Sequence, residues 1–405
     1  MKIIYLHQYF KFPNESGGTR SYDLACGFFK SGHEIEVITA TSDQKLRTNK
    51  RWHKVQKDDL VVHYIYLPYT NNMSYFHRSI VFIKFLWFSV LKILSMKGDI
   101  ILATSTPLTI GIPALVKKWI HKTPFIFEAR DIWPEAVIAI GAIKNIFIKK
   151  ILFFLESLIY KNASAIVTLS SDMRRSIVSR YPKLDYKYIE VIENISEIDR
   201  FQNGYDENMS ILSEKIGFKP RFTVLYAGTF GKVNGISYVI KLAHKLININ
   251  TEIIFVLVGD GIEKNLVIQE ASDKKVLNKN VFILDSVPKS DLSQLYFECN
   301  MGSSFVLNIK ELWANSANKF FDTLASGKPI LINHEGWQKN EIHEENIGYV
   351  LPAEIKDEDV RKFSNYSKNT SLIAKQRENA LNIAKMKYAT DIAVKKYNRI
   401  FSGIL

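Results

Sequence analysis

Short apolar runs bounded by Gly, Pro or Asn alternate with stretches of helical periodicity along most of this chain. The runs at 3–6 (IIYL), 35–40 (IEVITA), 100–105 (IILATS), 125–130 (FIFEAR) and 165–170 (AIVTLS) have the length and β-branched content of buried strands. A second series, FTVLYAG, EIIFVLVGD, VFILDS, CNMGSSFV and KPILIN, begins after residue 220. Strand followed by helix, repeated, predicts βαβ units on parallel sheets. The polar, turn-rich ENISEIDRFQNGYDENMS between the two series marks a hinge. At 405 residues the chain fits two domains of roughly 200 residues each, expected at 1–200 and 201–384. The tail from about 365 to 401 has few Gly or Pro and reads as helix, so it closes the molecule instead of adding a strand. Its last part, 385–405, is expected to pack back on the first domain.

Charge adds a direction to this picture. The formal net charge is +13, and residues 51–150 hold 14 basic against 6 acidic side chains, so a polyanionic partner should meet the first domain. Cys26 and Cys299 lie far apart in apolar surroundings, which argues against disulfides or a zinc site. The N-terminal MKIIYLHQYF runs straight into strand-like sequence without the pattern of a secretory leader, predicting a cytoplasmic protein.

The most apolar stretch, 75–96, is interrupted by charge, and its longest uncharged run lies between Lys84 and Lys92. That is far short of the roughly 20 residues of a spanning helix. On a helical wheel His77, Arg78, Lys84 and Lys92 share one arc of about 120°. A basic arc beside aromatics suits a helix lying in a lipid interface, with Arg78, Lys84, Trp87 and Lys92 as contacts; a buried helix is the alternative. The segment 144–161 (KNIFIKKILFFLESLIYK) has a similar character.

In open parallel sheets, ligands bind beyond the carboxyl ends of the strands, where glycine-rich loops lead into helix N-termini. Two loops qualify: Gly17–Gly18 after the first strand, and Gly228, Gly231 and Gly235 after the first strand of the second half. Neither is a GxGxxG or Walker loop, so ordinary turns are the alternative, but one such loop heading each half suggests a shared cleft. In FEARDIWPEA, Glu128, Arg130, Asp131 and Glu135 crowd a strand end. They form either a solvated loop or a site that reads acceptor hydroxyls or moves a proton. In ANSANKFFDTLASGKP, Asn318 and Asp322 share a helical face beside Lys319. A carboxylate there can hold ribose hydroxyls and the lysine can offset a diphosphate; a capped amphipathic helix is the alternative.

Taken in order, LHQYF...SGGTRSY, RDIWPE, LSSDMRR...VIENISEIDRF, YAGTFGKVNG, VLVGDG, VPKSDLSQLY and NKFFDTLASGKP resemble the retaining glycosyltransferases of family 4 over nearly the whole chain. The resemblance implies the GT-B fold, an α/β architecture of two facing Rossmann-like domains with parallel sheets. It also implies a nucleotide-sugar donor, UDP-linked, with no metal or other cofactor. LHQYF, GGTRSY, RDIWPE and INHEGWQ are similar to bacterial N-acetyl-L-fucosamine (L-fucosamine) transferases of O-antigen and capsule assembly. That branch implies a saccharide on undecaprenyl diphosphate as acceptor and peripheral contact with the inner face of the cell membrane.

By position, the resemblance puts Gly17 and Gly18 at the donor diphosphate and Asp131 by the sugar and acceptor. Gly259, Asp260 and Gly261, with the backbone of Val287, Pro288 and Lys289, would border the uracil, and Asp322 would hold the ribose. Gly228, Thr229, Lys232 and Asn318 complete the candidate donor contacts. Arg130 and Lys319 join Asp131 as candidate catalytic groups, and Arg20, Glu128 and Glu135 are candidate acceptor contacts. The family's two glutamates, separated by seven intervening residues, become Ala314 and Asp322, and its diphosphate-neutralising Arg and Lys align with Thr229 and Asn234. Lys232 and Lys319 are the available substitutes, since without a metal the protein itself must offset the leaving diphosphate. A UDP-sugar epimerase of the same fold would share the uridine site without needing interfacial helices. Nucleic acid is not an expected partner, because the basic residues are interleaved with long aliphatics and no recognised binding motif appears.

Overall fold

A computed structural model describes residues 1–404 except 16, 69–72, 74 and 185–188. The first eight strands are β1 (Lys2–Leu6), β2 (Glu34–Thr41), β3 (Trp52–Lys57), β4 (Leu60–Tyr66), β5 (Ile100–Thr104), β6 (Phe125–Ala129), β7 (Ala165–Thr168) and β8 (Ile189–Val191). They form one sheet in the order β3-β4-β2-β1-β5-β6-β7-β8, parallel apart from the antiparallel β3–β4 pair. The remaining six are β9 (Phe222–Ala227), β10 (Ile253–Val258), β11 (Val281–Leu284), β12 (Met301–Ser304), β13 (Ile330–Ile332) and β14 (Gly348–Val350). They build a second, wholly parallel sheet, β11-β10-β9-β12-β13-β14.

Both faces of each sheet are covered, which is why the central strands read as unbroken apolar runs; β10 is buried at every position. Side chains alternate across β1. Ile3 and Tyr5 enter a core shared with the first helix, Arg20–Lys30, whereas Ile4 and Leu6 enter the opposite core, which includes Phe85, Leu115 and Ile159. The last helix, Thr390–Ile404, lies in the former core, where Phe28 meets Tyr397 and Phe401 with ring centroids 5.4 and 5.2 Å apart. The chain therefore returns to its first domain after completing the second.

The sheets contain more strands than the apolar runs announced. β3 (WHKVQK) is a half-exposed edge strand with no apolar run, and β8 and β14 are three residues each, too short to display a period. Within β4, His63 sits buried because its ring nitrogen meets the Glu36 carboxylate at 3.1 Å.

Candidate functional site

The carboxyl ends of the strands in the two sheets face one another across a crevice. Two adjoining cavities of about 530 and 440 Å³ occupy it and share Gly18, Asn234, Asn318 and Lys319 in their walls. The smaller is lined by the two glycine loops (Gly17, Gly228, Thr229), by Gly259 and Asp260 after β10, and by Val287, Lys289 and Asp322. His7, Thr106, Arg130, Asp131, Trp133 and Ala314 line the larger one. Two of these glycines sit at close approaches, and at Gly259, where the neighbour is backbone, glycine is required. A β-carbon on Gly18 would stand 2.1 Å from Asn318 Nδ2 across the crevice, and one on Gly259 would stand 1.9 Å from the Gly228 carbonyl oxygen.

Lys319 is the buried cation at the junction of the two cavities. Its Nζ lies 2.9 Å from Asn234 Oδ1 and 3.3 Å from the Tyr226 hydroxyl, and burial pushes it down to about 8. Asn234 stands where the resemblance called for a cation; it receives one from Lys319 instead. Asp322 is buried, which pushes its carboxyl up, and Lys289 Nζ opposes that from 2.5 Å. On the other side, exposed Asp131 accepts a hydrogen bond from the Thr106 hydroxyl at 2.9 Å. Ala314 belongs to an apolar patch with Ile132, Leu169 and Met173, so where the family carries a glutamate this crevice presents hydrocarbon.

Several candidate residues stand elsewhere. Arg20 and Glu128, expected as acceptor contacts, are buried and line neither cavity. They form a buried ion pair at 3.0 Å, with the Tyr397 hydroxyl also donating to Glu128, because two opposite charges withdrawn from water need each other. Burial favours a neutral Glu128, yet Arg20 and Arg130 hold its carboxyl down to about 2. Glu135 turns to the helix Ser171–Arg180, taking a hydrogen bond from Ser176 and pairing with Arg180 at 3.0 Å. Lys232 opens onto a separate cavity beside Lys241 and His244 and donates to the Ile140 carbonyl at 3.4 Å; it does not line the donor cavity. Gly261 and Pro288 do not line this cavity, and Gly261 packs closely on the Phe230 backbone. The N–H of Lys289 is spent on the Glu15 carbonyl, so it is not free for a base. Lys84 and Trp87 are exposed, whereas Lys92 folds over the Trp52 ring, 6.0 Å from its centroid. The Arg78 side chain falls outside the described residues.

Among the wall side chains that sequence analysis did not single out are His7 and Lys289. His7 directly follows β1, the place where the strand-end rule looks for chemistry, and is buried with its proton affinity pushed down to about 3 by desolvation and by Arg130. Lys289 was legible only as backbone, since its partner Asp322 is distant in sequence.

Two facing Rossmann-like domains with a crevice between their strand ends are the architecture of the GT-B fold. The comparisons agree: residues 17–194 match the glycosyl transferase 4-like domain and residues 209–383 match the glycosyl transferases group 1 domain, and the chain belongs to these glycosyltransferases. No curated protein matches the chain by sequence. Sucrose-phosphate synthase from Thermosynechococcus elongatus superposes with a TM-score of 0.76 at 12% identity, over 100% of this chain and 98% of that one. Anabaena HepE in complex with UDP-glucose gives 0.70 at 16%, over 100% of each chain. WaaG, a glycosyltransferase involved in lipopolysaccharide biosynthesis, gives 0.69 at 15%, over 99% of each.

Proposed function

We propose that this glycosyltransferase moves a sugar, with retention, from a UDP-linked donor to a saccharide carried on undecaprenyl diphosphate. The donor sugar is an N-acetylated amino sugar such as N-acetyl-L-fucosamine, in O-antigen or capsule assembly, and the reaction uses no metal. The observation that carries the reading is the shared wall. Asp322 and the glycine loops border one cavity, Arg130 and Asp131 the next, and Lys319 stands between them. In this scheme Asp322 takes the ribose hydroxyls, backbone N–H groups of the glycine loops take phosphate oxygens, and Lys319 offsets charge as UDP leaves. Asp131 orients the acceptor hydroxyl. The UDP-glucose complex of a similar fold and the motif series support the donor class.

A membrane-facing acceptor is supported by the surface of the first domain. The helices Tyr75–Ser95, Gly111–His121 and Ile146–Asn162 contain one carboxylate, Glu156, and it is buried. They expose Ile83, Trp87, Trp119, Phe147, Ile151 and Phe154, Phe147 at 70%, with Lys84 and Lys150 among them. An apolar surface carrying cations and no exposed carboxylate fits an anionic bilayer. Among the described residues no helix is long and apolar enough to cross one.

Thermal melting with free UDP, GDP and ADP tests the donor site: UDP alone should raise the transition, and protection by none of them would sink the assignment. Asp322→Ala should abolish that protection, while Asp131→Ala should keep it and lose transfer. A panel of radiolabelled UDP-sugars with membrane extract should then place one sugar in the lipid fraction.

A further inference from the structure

We propose that Lys289 is a positioning residue: it orients the Asp322 carboxylate for the donor ribose, from a turn whose backbone also meets the first domain. The inference rests on the donor site proposed above and adds a residue that couples that site to the first domain. Lys289 is 3% exposed; its Nζ lies 2.5 Å from Asp322 Oδ1 and 3.9 Å from Glu197, and 5.3 Å from the centre of the Phe201 ring. One oxygen of the carboxylate is thereby committed and its plane fixed, leaving the other to accept from a ribose.

The lysine itself is held from across the crevice. Its N–H donates to the Glu15 carbonyl at 3.3 Å, and the Ser290 N–H donates to the Pro13 carbonyl at 3.2 Å. That turn of the first domain leads directly into Gly17 and Gly18 and is braced by Glu15, whose carboxylate accepts from the Phe12 N–H at 2.9 Å and from Lys11 at 2.8 Å. Docking of the 13–15 turn sets the backbone of Lys289, and Lys289 sets Asp322.

The chemistry requires such a partner. Burial drives Asp322 toward its neutral form, which cannot accept through both oxygens. Lys289 opposes this, with help from Arg200; Asp23 acts in the other sense, Glu197 and Tyr296 are further titratable neighbours, and Lys319 lines the same cavity one helical turn before Asp322. Without the lysine, Asp322 should be ionised only at higher pH.

The test is calorimetric binding of UDP and of uridine between pH 5.5 and 8.5, with donor KM and kcat measured in parallel. Lys289→Met should weaken both ligands by about tenfold or more at pH 6, and the deficit relative to wild type should shrink toward pH 8.5. KM should carry most of the change, and Lys289→Arg should recover most of the affinity. A deficit independent of pH, or no deficit, overturns the proposal. So does a deficit for UDP without one for uridine, because the lysine would then serve the phosphates. If wild-type protein binds neither ligand, the donor-site reading itself fails, a result distinguishable from all of these.

Discussion

Lys319 shows what a single residue can reveal about the crevice. Its ammonium is buried against two neutral partners, a phenol and a carboxamide, and no carboxylate pairs with it among the described residues. Its folded value of about 8 lies below its ordinary 10.5. The folded state therefore binds fewer protons than the unfolded one between those limits, and stability rises as pH climbs through them. Below that window the lysine costs up to roughly 3 kcal/mol. Lys319→Met should consequently stabilise the protein at pH 7, with an advantage in urea unfolding that fades toward pH 10. The same substitution should cut transfer by about 100-fold or more, since a cation facing the leaving diphosphate is gone. A variant both less stable and fully active would show that the lysine serves packing alone.

At the scale of elements, one strand end shows the limit of sequence. Glu128, Arg130, Asp131 and Glu135 read as one cluster in RDIWPE and its surroundings, yet the structure sends them three ways. Glu128 lies within β6 and points inward, Arg130 and Asp131 reach the crevice, and Glu135 opens a short helix facing Arg180. Spacing gave the neighbourhood; the partners that sort these charges are distant in the chain. The apolar helices behave similarly. Periodicity located a basic arc on 75–95, but packing turned Lys92 inward and left the widest apolar exposure on Ile146–Asn162. Phe147→Asp with Phe154→Asp should therefore reduce sedimentation with anionic vesicles by about tenfold while leaving the melting temperature within a degree or two, because both rings are exposed. Gly27 offers an opposite case. Alanine in a helix interior ordinarily gains up to about 1 kcal/mol over glycine. Here its β-carbon would stand 2.4 Å from Val394 Cγ2 of the last helix, and overpacking of that kind costs about 1–3 kcal/mol. Gly27→Ala should lower stability in urea.

The whole molecule is tied together by a buried polar knot on the first domain. Arg20 joins Glu128 at 3.0 Å and the carbonyls of Ile192 and Glu193, while Thr104 and Tyr397 donate to the same glutamate. One ion pair thus binds the first helix, β6, the segment leading to the second domain and the last helix. Glu128→Gln leaves Arg20 buried and uncompensated, and should cost about 3 kcal/mol or more, read as a fall in denaturation midpoint. Because the Glu128 carboxyl is held near 2, below its ordinary value of 4.5, its contribution is complete above about 4.5 and lost as pH falls through about 2. The wild-type and variant unfolding curves should converge over that interval.

By itself the sequence determined the architecture. Apolar runs of strand length, each followed by a helix, leave little choice but two parallel sheets, and glycines at strand ends mark the loops without showing what each one approaches. What the tertiary structure decided is which charges face the ligand and which hold the scaffold. Arg20 and Lys289 each find their counter-ion far along the chain, and a charge's role is set by what surrounds it after desolvation. Local spacing carries backbone preference and the period of burial; it carries no information about which remote carboxylate will neutralise a given cation.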